Sequence, residues 1–294
     1  MGKLGGKVAI ITGATSGIGE RIAEMFVAEG ARVVAAGRRE AEGLALEAKC
    51  GPAMSFIRTD VTDETSVKAM VDHAVARFGR LDCLVNNAGS GSPMVSITEV
   101  AAEHFSSVFD TNVRAVMFGM KHAAPIMIAQ GLGSIITIAS AAGLRGGFSG
   151  HIYSASKAAV IHLSRNVASE ISSRGVRVNT ISPGGIVTGI FAKAAGLDGA
   201  KADRALRVIS IYSPPYSQFD APGLPTTSPM PRCFSQAMRR RLSPDRTLPS
   251  MAVWFHLRSQ VGRRRSSSAR KSLGASGRRT SHSEVALLGC YPRR

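Results

Sequence analysis

The chain has 294 residues, enough for one large domain with a sizeable core, and a formal net charge of +17. Residues 207–294 hold 16 of the 37 Lys and Arg but 3 of the 20 Asp and Glu, which leaves +4 for the first 206 residues. This composition excludes a strongly basic surface for nucleic acid in the first 206 residues.

The four cysteines, Cys50, Cys83, Cys233 and Cys290, have neither the spacing of a disulfide framework nor that of a metal site. We therefore expect a reducing, cytoplasmic location and no metal ion. The sequence also lacks an apolar stretch of about 20 residues and a charged-then-apolar leader, so no membrane segment is expected.

The first predicted strand, Val8–Thr12, is a continuous run of apolar and β-branched residues, which is typical of a strand buried in a parallel sheet. It leads directly into a turn with glycines at positions 13, 17 and 19. Glycines permit a tight strand-to-helix turn and leave the amides of the helix start free for a pyrophosphate. Because an amphipathic helix over residues 20–29 follows, this turn predicts a dinucleotide site.

The second predicted strand, residues 31–36, is followed by Gly37, Arg38 and Arg39 and by a helix over residues 40–49. An acidic residue at the end of this strand would bind the ribose 2′-hydroxyl of NAD and repel a 2′-phosphate. Gly37 occupies that position, and the two arginines beside it are suited to a 2′-phosphate. We therefore expect NADP(H) as the preferred cofactor, with NAD(H) possible because solvated arginines are common at helix starts.

The third and fourth predicted strands, residues 54–57 and 82–85, also end in polar segments. Asp60 and Val61 follow the third strand, and Asp60 is also placed to support the start of a helix over residues 63–78. Asn86–Gly89, with the sequence NNAG, follows the fourth. Both segments therefore lie where a parallel sheet binds its ligands.

A long helical region is predicted after Ser96 and Glu99, which have the spacing of a capping box. Asn112 lies inside this region. Asparagine is a poor helix former, and when buried it needs hydrogen-bond partners. Asn112 is therefore a candidate site residue.

The fifth predicted strand, residues 135–139, ends at Ser140, and a helix that includes Tyr153 and Lys157 follows it, with its apolar face over residues 155–170. Side chains four residues apart on a helix share one face, so the phenol and the ammonium should lie in one site. We expect the ammonium to lower the phenol pKa from its usual value near 10, which would allow proton exchange at neutral pH. A sixth strand is predicted over residues 176–181, before Pro183 and Gly184.

Together these motifs resemble those of the short-chain dehydrogenase/reductase family, over residues 6–205. The resemblance implies an α/β fold with a Rossmann-type doubly wound parallel sheet. It also implies an NAD(P)-dependent oxidoreductase that transfers hydride between nicotinamide and a secondary alcohol or ketone. In such an enzyme Tyr153 exchanges the proton, Ser140 binds the substrate oxygen, Lys157 holds the nicotinamide ribose and Asn112 holds a water that joins Lys157 to solvent.

The resemblance also implies the cofactor contacts, which follow the strand ends. They are Gly13, Thr15, Ser16, Gly17, Ile18, Gly19, Arg38, Arg39, Asp60, Val61, Asn87, Ala88, Gly89, Tyr153, Lys157, Pro183, Gly184, Ile186 and Thr188. The expected partners are a small alcohol or carbonyl compound and further copies of the chain, as a dimer or tetramer. Residues 90–95, 141–148 and 189–199 are the expected substrate walls, for a 3-oxoacyl compound or a small cyclic or aliphatic carbonyl compound.

Two other activities remain open from the sequence. A dehydratase or epimerase would use the same dinucleotide, although the PGxxxT segment at residues 183–188 and the short length favour a simple dehydrogenase. A catalytically silent or impaired nucleotide-binding protein is the alternative from another class. The complete set of Asn112, Ser140, Tyr153 and Lys157 argues against the silent protein.

The resemblance stops near residue 206, so we predict a catalytic domain over residues 1–206 and an irregular basic tail over residues 207–294. The tail holds nine of the 13 prolines and 15 serines, and no seventh strand is recognisable in it. Such a composition predicts disorder, and without a seventh strand the sixth would be an open edge. Three explanations remain open: a shifted reading frame from about residue 207, a tail that binds nucleic acid or acidic lipid non-specifically, and a solvated tail without a partner.

Overall fold

Parallel strands form one sheet at the centre of the computed structural model, which describes residues 2–184 and 253–254. In this part of the chain all strand pairs are parallel, and the order across the sheet is β3 (Met54–Arg58), β2 (Arg32–Gly37), β1 (Val8–Thr12), β4 (Cys83–Asn86), β5 (Gly133–Ile138), β6 (Val176–Ser182) and β7 (Val253–Trp254). The chain runs outward from β1 to β3, returns to the other side of β1, and runs outward again. The switch point of this doubly wound sheet therefore lies between β1 and β4.

The strands are short, as expected for buried parallel strands. They are β1 Val8–Thr12, β2 Arg32–Gly37, β3 Met54–Arg58, β4 Cys83–Asn86, β5 Gly133–Ile138, β6 Val176–Ser182 and β7 Val253–Trp254. The α-helices between them are α1 Gly17–Ala28, α2 Glu40–Cys50, α3 Glu64–Phe78, α4 Ala102–Phe109, α5 Ala115–Ala129 and α6 His151–Ile171. A π-turn, Asp110–Arg114, joins α4 to α5.

Two apolar clusters cover the two faces of the sheet. Neighbouring residues of β1 point to opposite faces, so Ile10 belongs to one cluster and Ile11 to the other. Met70 of α3 and Met127 of α5 pack in the cluster of Ile10, whereas Phe26 of α1 packs in that of Ile11. This double cover explains why β1 reads as a continuous apolar run rather than as an alternating pattern.

The fold predicted from the sequence is confirmed, with changes at the helix starts. Helix α6 begins at His151, so Tyr153 lies within its first turn. The capping box of Ser96 and Glu99 is present, but it starts a 3₁₀ turn over Ile97–Glu99 and not the long helix. Helix α4 begins after Ala101 and has no side-chain cap.

The prediction that no seventh strand exists needs correction. Val253 pairs with Ile181, and Trp254 pairs with Ser182, in parallel register. Strand β7 pairs with two residues of β6. A strand of two residues is too short to show hydrophobic periodicity in the sequence. The other residues of the predicted tail, and its boundary at residue 206, lie outside the described residues.

Within the described ranges, none of the helices combines the length and the apolar character needed to span a bilayer.

Candidate active site

The glycine turn after β1 is held against the segment that follows β4. The Thr12 hydroxyl accepts hydrogen bonds from the main-chain amides of Asn87 at 2.9 Å and Ala88 at 3.0 Å. The Asn87 side chain returns a bond to the Thr12 carbonyl oxygen at 2.8 Å. These bonds fix the two central strand ends relative to each other at the switch point of the sheet.

Glycine is required in this turn because the backbones approach closely. Gly13 has a φ of +65°, and a Cβ atom there would lie 2.9 Å from the Ala88 Cα atom. A Cβ atom at Gly19 would lie 2.2 Å from the Gly13 carbonyl oxygen. Helix α1 begins at Gly17, and the side chain of its N-cap residue, Ser16, makes no capping hydrogen bond. The exposed start of α1 therefore fits a pyrophosphate, which its amides would bind.

The two arginines after β2 have different surroundings. Arg39 donates to the carbonyl oxygen and the hydroxyl of Thr15 and pairs with Glu42 at 3.2 Å. Arg38 is exposed and lies close enough to Asp60 to favour its ionised form. Gly37 packs against Thr15, because a Cβ atom at position 37 would lie 2.9 Å from the Thr15 Cγ2 atom. Arg39 thus supports the glycine turn, whereas no hydrogen bond to another described residue orients Arg38.

Asp60 and Val61 lie after β3, next to the central strand ends. Hydrogen bonds from the main-chain amide and the hydroxyl of Thr62, at 3.0 Å and 2.8 Å, hold the pKa of the Asp60 carboxyl below its usual value. Asp63, not Asp60, caps helix α3. Val61 and Ala88 line a small apolar cavity beside β4, together with Thr12 and Asn86. The Asn86 Nδ2 atom is buried and has no hydrogen-bond partner among the described residues.

The structure brings Ser140 and Tyr153 together. Ser140 follows β5, and its hydroxyl accepts a bond from the Ala142 amide at 3.2 Å and is hydrogen-bonded to the Tyr153 side chain. Burial raises the pKa of the Tyr153 phenol, and the bond from Ser140 lowers it by less. The net result is a phenol pKa above its usual value near 10.

Lys157 lies on the same side of α6 as Tyr153, with its Nζ atom 5.6 Å from the centroid of the phenol ring. It is 4% exposed and donates to the Ile138 carbonyl oxygen at 2.9 Å. Burial lowers the pKa of Lys157 to about 8. The expectation that the ammonium lowers the phenol pKa is therefore wrong for the protein alone, because desolvation disfavours the charged form of both groups.

Asn112 lies in the π-turn and is buried. Its amide accepts from the Ser90 main-chain amide at 2.8 Å and donates to the Ser90 carbonyl oxygen at 2.9 Å and the Ser156 hydroxyl at 3.0 Å. A Cβ atom at Gly89 would meet the Asn112 Oδ1 atom at 3.2 Å and the Lys157 Nζ atom at 3.4 Å. Gly89 thus keeps open a space that both polar atoms face, and the relay water stays a prediction.

The remaining predicted residues follow β6. Pro183 accepts a hydrogen bond from the Ala141 amide at 2.8 Å, which joins the segment after β6 to the one after Ser140. Gly184 is exposed. Ile186, Thr188 and the predicted substrate wall at residues 189–199 lie outside the described residues.

Two buried serines in this site were missed by sequence reasoning. The Ser92 hydroxyl accepts from the Tyr153 amide at 3.1 Å, and the Ser156 hydroxyl donates to the Tyr153 carbonyl oxygen at 2.7 Å. Ser156 lies between Tyr153 and Lys157 in the sequence and directly precedes Lys157, and this position could have marked it as a candidate site residue. Ser92 lies in the predicted substrate wall at residues 90–95, but nothing in the sequence marks its hydrogen bond to the Tyr153 amide. Among the described residues, no group of three or more His, Cys, Asp or Glu side chains is arranged to hold a metal ion.

The fold and the site define an α/β protein with a glycine turn after the first strand and a half-buried tyrosine beside a buried lysine at the carboxyl ends of the strands. The short chain dehydrogenase family matches residues 7–196, and the chain belongs to this family. Members of the family are NAD(P)-dependent oxidoreductases that act on CH–OH groups, and this is the class of the chain.

Similar proteins support this membership. Momilactone A synthase of Oryza sativa is 44% identical over 213 residues, which cover 72% of this chain and 76% of the relative. (+)-Borneol dehydrogenase 2 of Salvia officinalis is 46% identical, over 64% of this chain and 68% of the relative. A solved structure of a short-chain dehydrogenase/reductase from Burkholderia xenovorans matches with a TM-score of 0.63 and 34% identity, over 72% of this chain and 83% of its own.

Proposed function

We propose that the chain catalyses reversible hydride transfer between a nicotinamide dinucleotide and a secondary alcohol or ketone, with Tyr153 as the acid–base group. The observation that carries this proposal is the convergence of three side chains after β5 and at the start of α6. Ser140 is hydrogen-bonded to Tyr153, and the Lys157 Nζ atom lies 5.6 Å from the phenol ring. When bound, the nicotinamide supplies or accepts the hydride.

The protonation states suit the reductive direction near neutral pH. Because burial raises its pKa, Tyr153 carries its proton at pH 7, and a phenol donates this proton to the carbonyl oxygen as it is reduced. Ser140 hydrogen-bonds the same oxygen and stabilises its developing charge. In the oxidative direction Tyr153 must first lose its proton, and as the phenolate it then accepts the proton of the alcohol. Lys157 holds the nicotinamide ribose, and Asn112 holds the relay water.

NADP(H) is the preferred cofactor in this proposal, and Arg38 binds its 2′-phosphate. Support comes from the absence of a carboxylate at Gly37 and from the exposure of Arg38 beside the strand end. Arg38→Ala should raise the Kd of NADPH about tenfold or more and leave that of NADH nearly unchanged. Arg39→Ala is the matched control, because Arg39 supports the Thr15 turn and should affect both cofactors alike. Equal losses for both cofactors in Arg38→Ala would contradict the assignment.

The proposed substrate is a cyclic or aliphatic secondary alcohol, or the corresponding ketone, with an apolar body. Met94 and Phe148 are 74% and 55% exposed, on the two segments expected to wall the substrate. Gly150, two residues after Phe148, packs against the first segment, because a Cβ atom there would lie 2.4 Å from the Pro93 carbonyl oxygen. Two relatives are named as dehydrogenases, (+)-borneol dehydrogenase 2 and secoisolariciresinol dehydrogenase, and of the two named compounds borneol is a cyclic secondary alcohol.

Turnover by the purified full chain tests the proposal. Titrations with NADPH and NADH, followed by nicotinamide fluorescence, establish binding. A panel then includes (+)-borneol and its ketone, an aliphatic ketone and a 3-oxoacyl thioester. Turnover of the cyclic pair above the thioester supports the proposed substrate class. Binding without any turnover would favour the silent nucleotide-binding alternative.

We also propose that the chain forms a cytoplasmic homo-oligomer. Phe105 of α4 and Met117 of α5 are 48% and 44% exposed, which leaves apolar surface on this helical region. The free thiols of Cys50 and Cys83 are compatible with a reducing compartment. Light scattering of the purified chain tests the oligomeric state, and a mass equal to one chain would contradict it.

A further inference from the structure

Two buried serines hold the main chain of Tyr153. The Tyr153 amide donates to the Ser92 hydroxyl at 3.1 Å, and its carbonyl oxygen accepts from the Ser156 hydroxyl at 2.7 Å. Ser92 is 2% exposed and Ser156 is fully buried. Since Tyr153 lies in the first turn of α6, its amide has no acceptor within the helix. Ser92 supplies this acceptor from another part of the chain.

The start of α6 cannot be capped by its own N-cap residue. That residue is Gly150, which has no side chain. A Cβ atom there would lie 2.4 Å from the Pro93 carbonyl oxygen and 2.7 Å from the Ser92 hydroxyl oxygen. The segment of Ser92 and Pro93 thus occupies the space in which a capping side chain would lie. The position of the helix start therefore depends on this segment.

The hydrogen bonds form a closed ring through Asn112. Ser156 accepts from the Asn112 side chain at 3.0 Å, and Asn112 binds both main-chain groups of Ser90. Ser90 and Ser92 belong to one short segment, so the ring returns to the Tyr153 amide. Among the described residues, every bond of this ring except those within α6 joins separate elements. Ser140, which follows β5, contacts the Tyr153 side chain from outside the ring.

We infer that Ser92 and Ser156 are positioning residues, which keep the Tyr153 phenol in hydrogen-bond register with the Ser140 hydroxyl. The inference rests on the proposed function, because Tyr153 and Ser140 are its reacting groups. Small displacements of an acid–base group slow a reaction strongly. In the intact site the hydrogen bond from Ser140 lowers the pKa of the Tyr153 phenol. Loss of register would weaken this bond, and the phenol pKa would therefore rise.

Ser92→Ala in the full chain tests the first bond. We expect kcat to fall about tenfold or more, while the Kd of NADPH changes by less than about twofold. The apparent pKa in the pH profile of kcat should move upward. Ser92→Thr keeps the hydroxyl oxygen and should restore both kcat and the profile. Ser96→Ala is the matched control, since Ser96 caps the nearby 3₁₀ turn but lies outside the ring.

Ser156→Ala tests the second bond and should change kcat and the pH profile in the same direction. Its matched control is Ser169→Ala on the same helix. The Ser169 hydroxyl donates to the Arg165 carbonyl oxygen at 3.1 Å, the same kind of bond at an exposed position far along α6. Ser169→Ala should keep the wild-type kcat and profile.

Several outcomes would overturn the inference. One is wild-type kcat and pH profile in Ser92→Ala or Ser156→Ala, and another is an equal loss in the matched control. If Ser92→Ala does not fold, the comparison of Ser156→Ala with Ser169→Ala decides. If the wild-type chain turns over no alcohol or ketone, the proposed function fails, but the positioning role can still be tested by NMR titration of labelled tyrosine. The Tyr153 signal is assigned by its absence from Tyr153→Phe. An unchanged Tyr153 pKa in both serine variants then contradicts the positioning role.

Discussion

Two buried charged residues at opposite ends of the sheet differ in their partners. Asp82, just before β4, is 6% exposed and accepts from the Val8 amide at 3.0 Å and from Arg80 at 2.8 and 2.7 Å, with Lys7 at 3.4 Å. Lys157, at the carboxyl end, is 4% exposed, and no carboxylate of the described ranges pairs with it. Within the described ranges, its ammonium donates a hydrogen bond to the Ile138 carbonyl oxygen.

The difference separates stability from chemistry. A buried carboxylate with several donors holds strand β1 and the start of β4 together. A buried amine without a counter-charge costs folding free energy, and its pKa of about 8 keeps proton exchange close to neutral pH. The variants below test this division, from the largest expected effect to the smallest.

Tyr153→Phe removes the phenol oxygen while keeping the ring. We expect kcat to fall at least about 100-fold, because proton transfer to the substrate oxygen loses its donor. The Kd of NADPH should remain near the wild-type value, as measured by fluorescence titration. Unchanged turnover in a folded Tyr153→Phe protein would remove Tyr153 from the reaction.

Lys157→Met should lower kcat by about 100-fold without lowering the free energy of unfolding. The variant removes a buried charge but keeps an apolar chain of similar length. Urea unfolding at pH 7 and steady-state kinetics measure the two effects separately. A Lys157→Met protein that unfolds far more easily, with normal kcat, would place Lys157 with Asp82 as a structural residue.

Asp82→Ala should lower the free energy of unfolding by about 2–3 kcal/mol, because the buried Val8 amide loses its acceptor and two cations lose their partner. kcat of the folded fraction should change by less than about twofold, since Asp82 lies at the amino ends of the strands. Asp72→Ala is the control: its pair with Lys68 is 59% exposed on both sides and contributes under about 1 kcal/mol.

The pH dependence of stability sharpens the comparison further. Folding lowers the pKa of Lys157 from its usual value near 10.5 to about 8. Between about pH 8 and pH 10.5 the amine is therefore protonated in the unfolded chain and largely neutral in the folded chain, so the unfolded chain binds more protons. Stability of the wild type therefore rises with pH in this window, relative to Lys157→Met. Between pH 7 and pH 9 we expect the free energy of unfolding of the wild type to increase by about 1 kcal/mol relative to that of Lys157→Met. A constant difference would mean that the amine does not titrate there.

Much of the fold could be predicted because its signals are local. A continuous run of apolar and β-branched residues marked β1, a short alternating pattern marked β6, and the glycines at 13 and 19 marked a turn where the backbones approach closely. Spacing on a helix brought Tyr153 and Lys157 to one face.

The rest depends on contacts between distant parts of the chain. The hydrogen bonds of Ser92 and Ser156 to the Tyr153 main chain form only when Tyr153, Asn112 and the segment after β4 are packed together. Sequence reading therefore could not predict them. The direction of the Tyr153 pKa shift depends on burial, which no spacing rule contains. The strand Val253–Trp254 is recognised by its pairing with β6, because two residues carry no periodicity.

The π-turn between α4 and α5 makes the length of this segment as important as its composition. A regular α-helix rotates the chain by about 100° per residue, whereas the wider π-turn holds one more residue in a turn, so deletion of one residue within Asp110–Arg114 would restore α-helical winding and leave the faces of α4 and α5 nearly unchanged. The loss would fall on Asn112, because its hydrogen bonds to the Ser90 backbone depend on the winding of this segment. A single missing codon here would therefore do more harm than most substitutions.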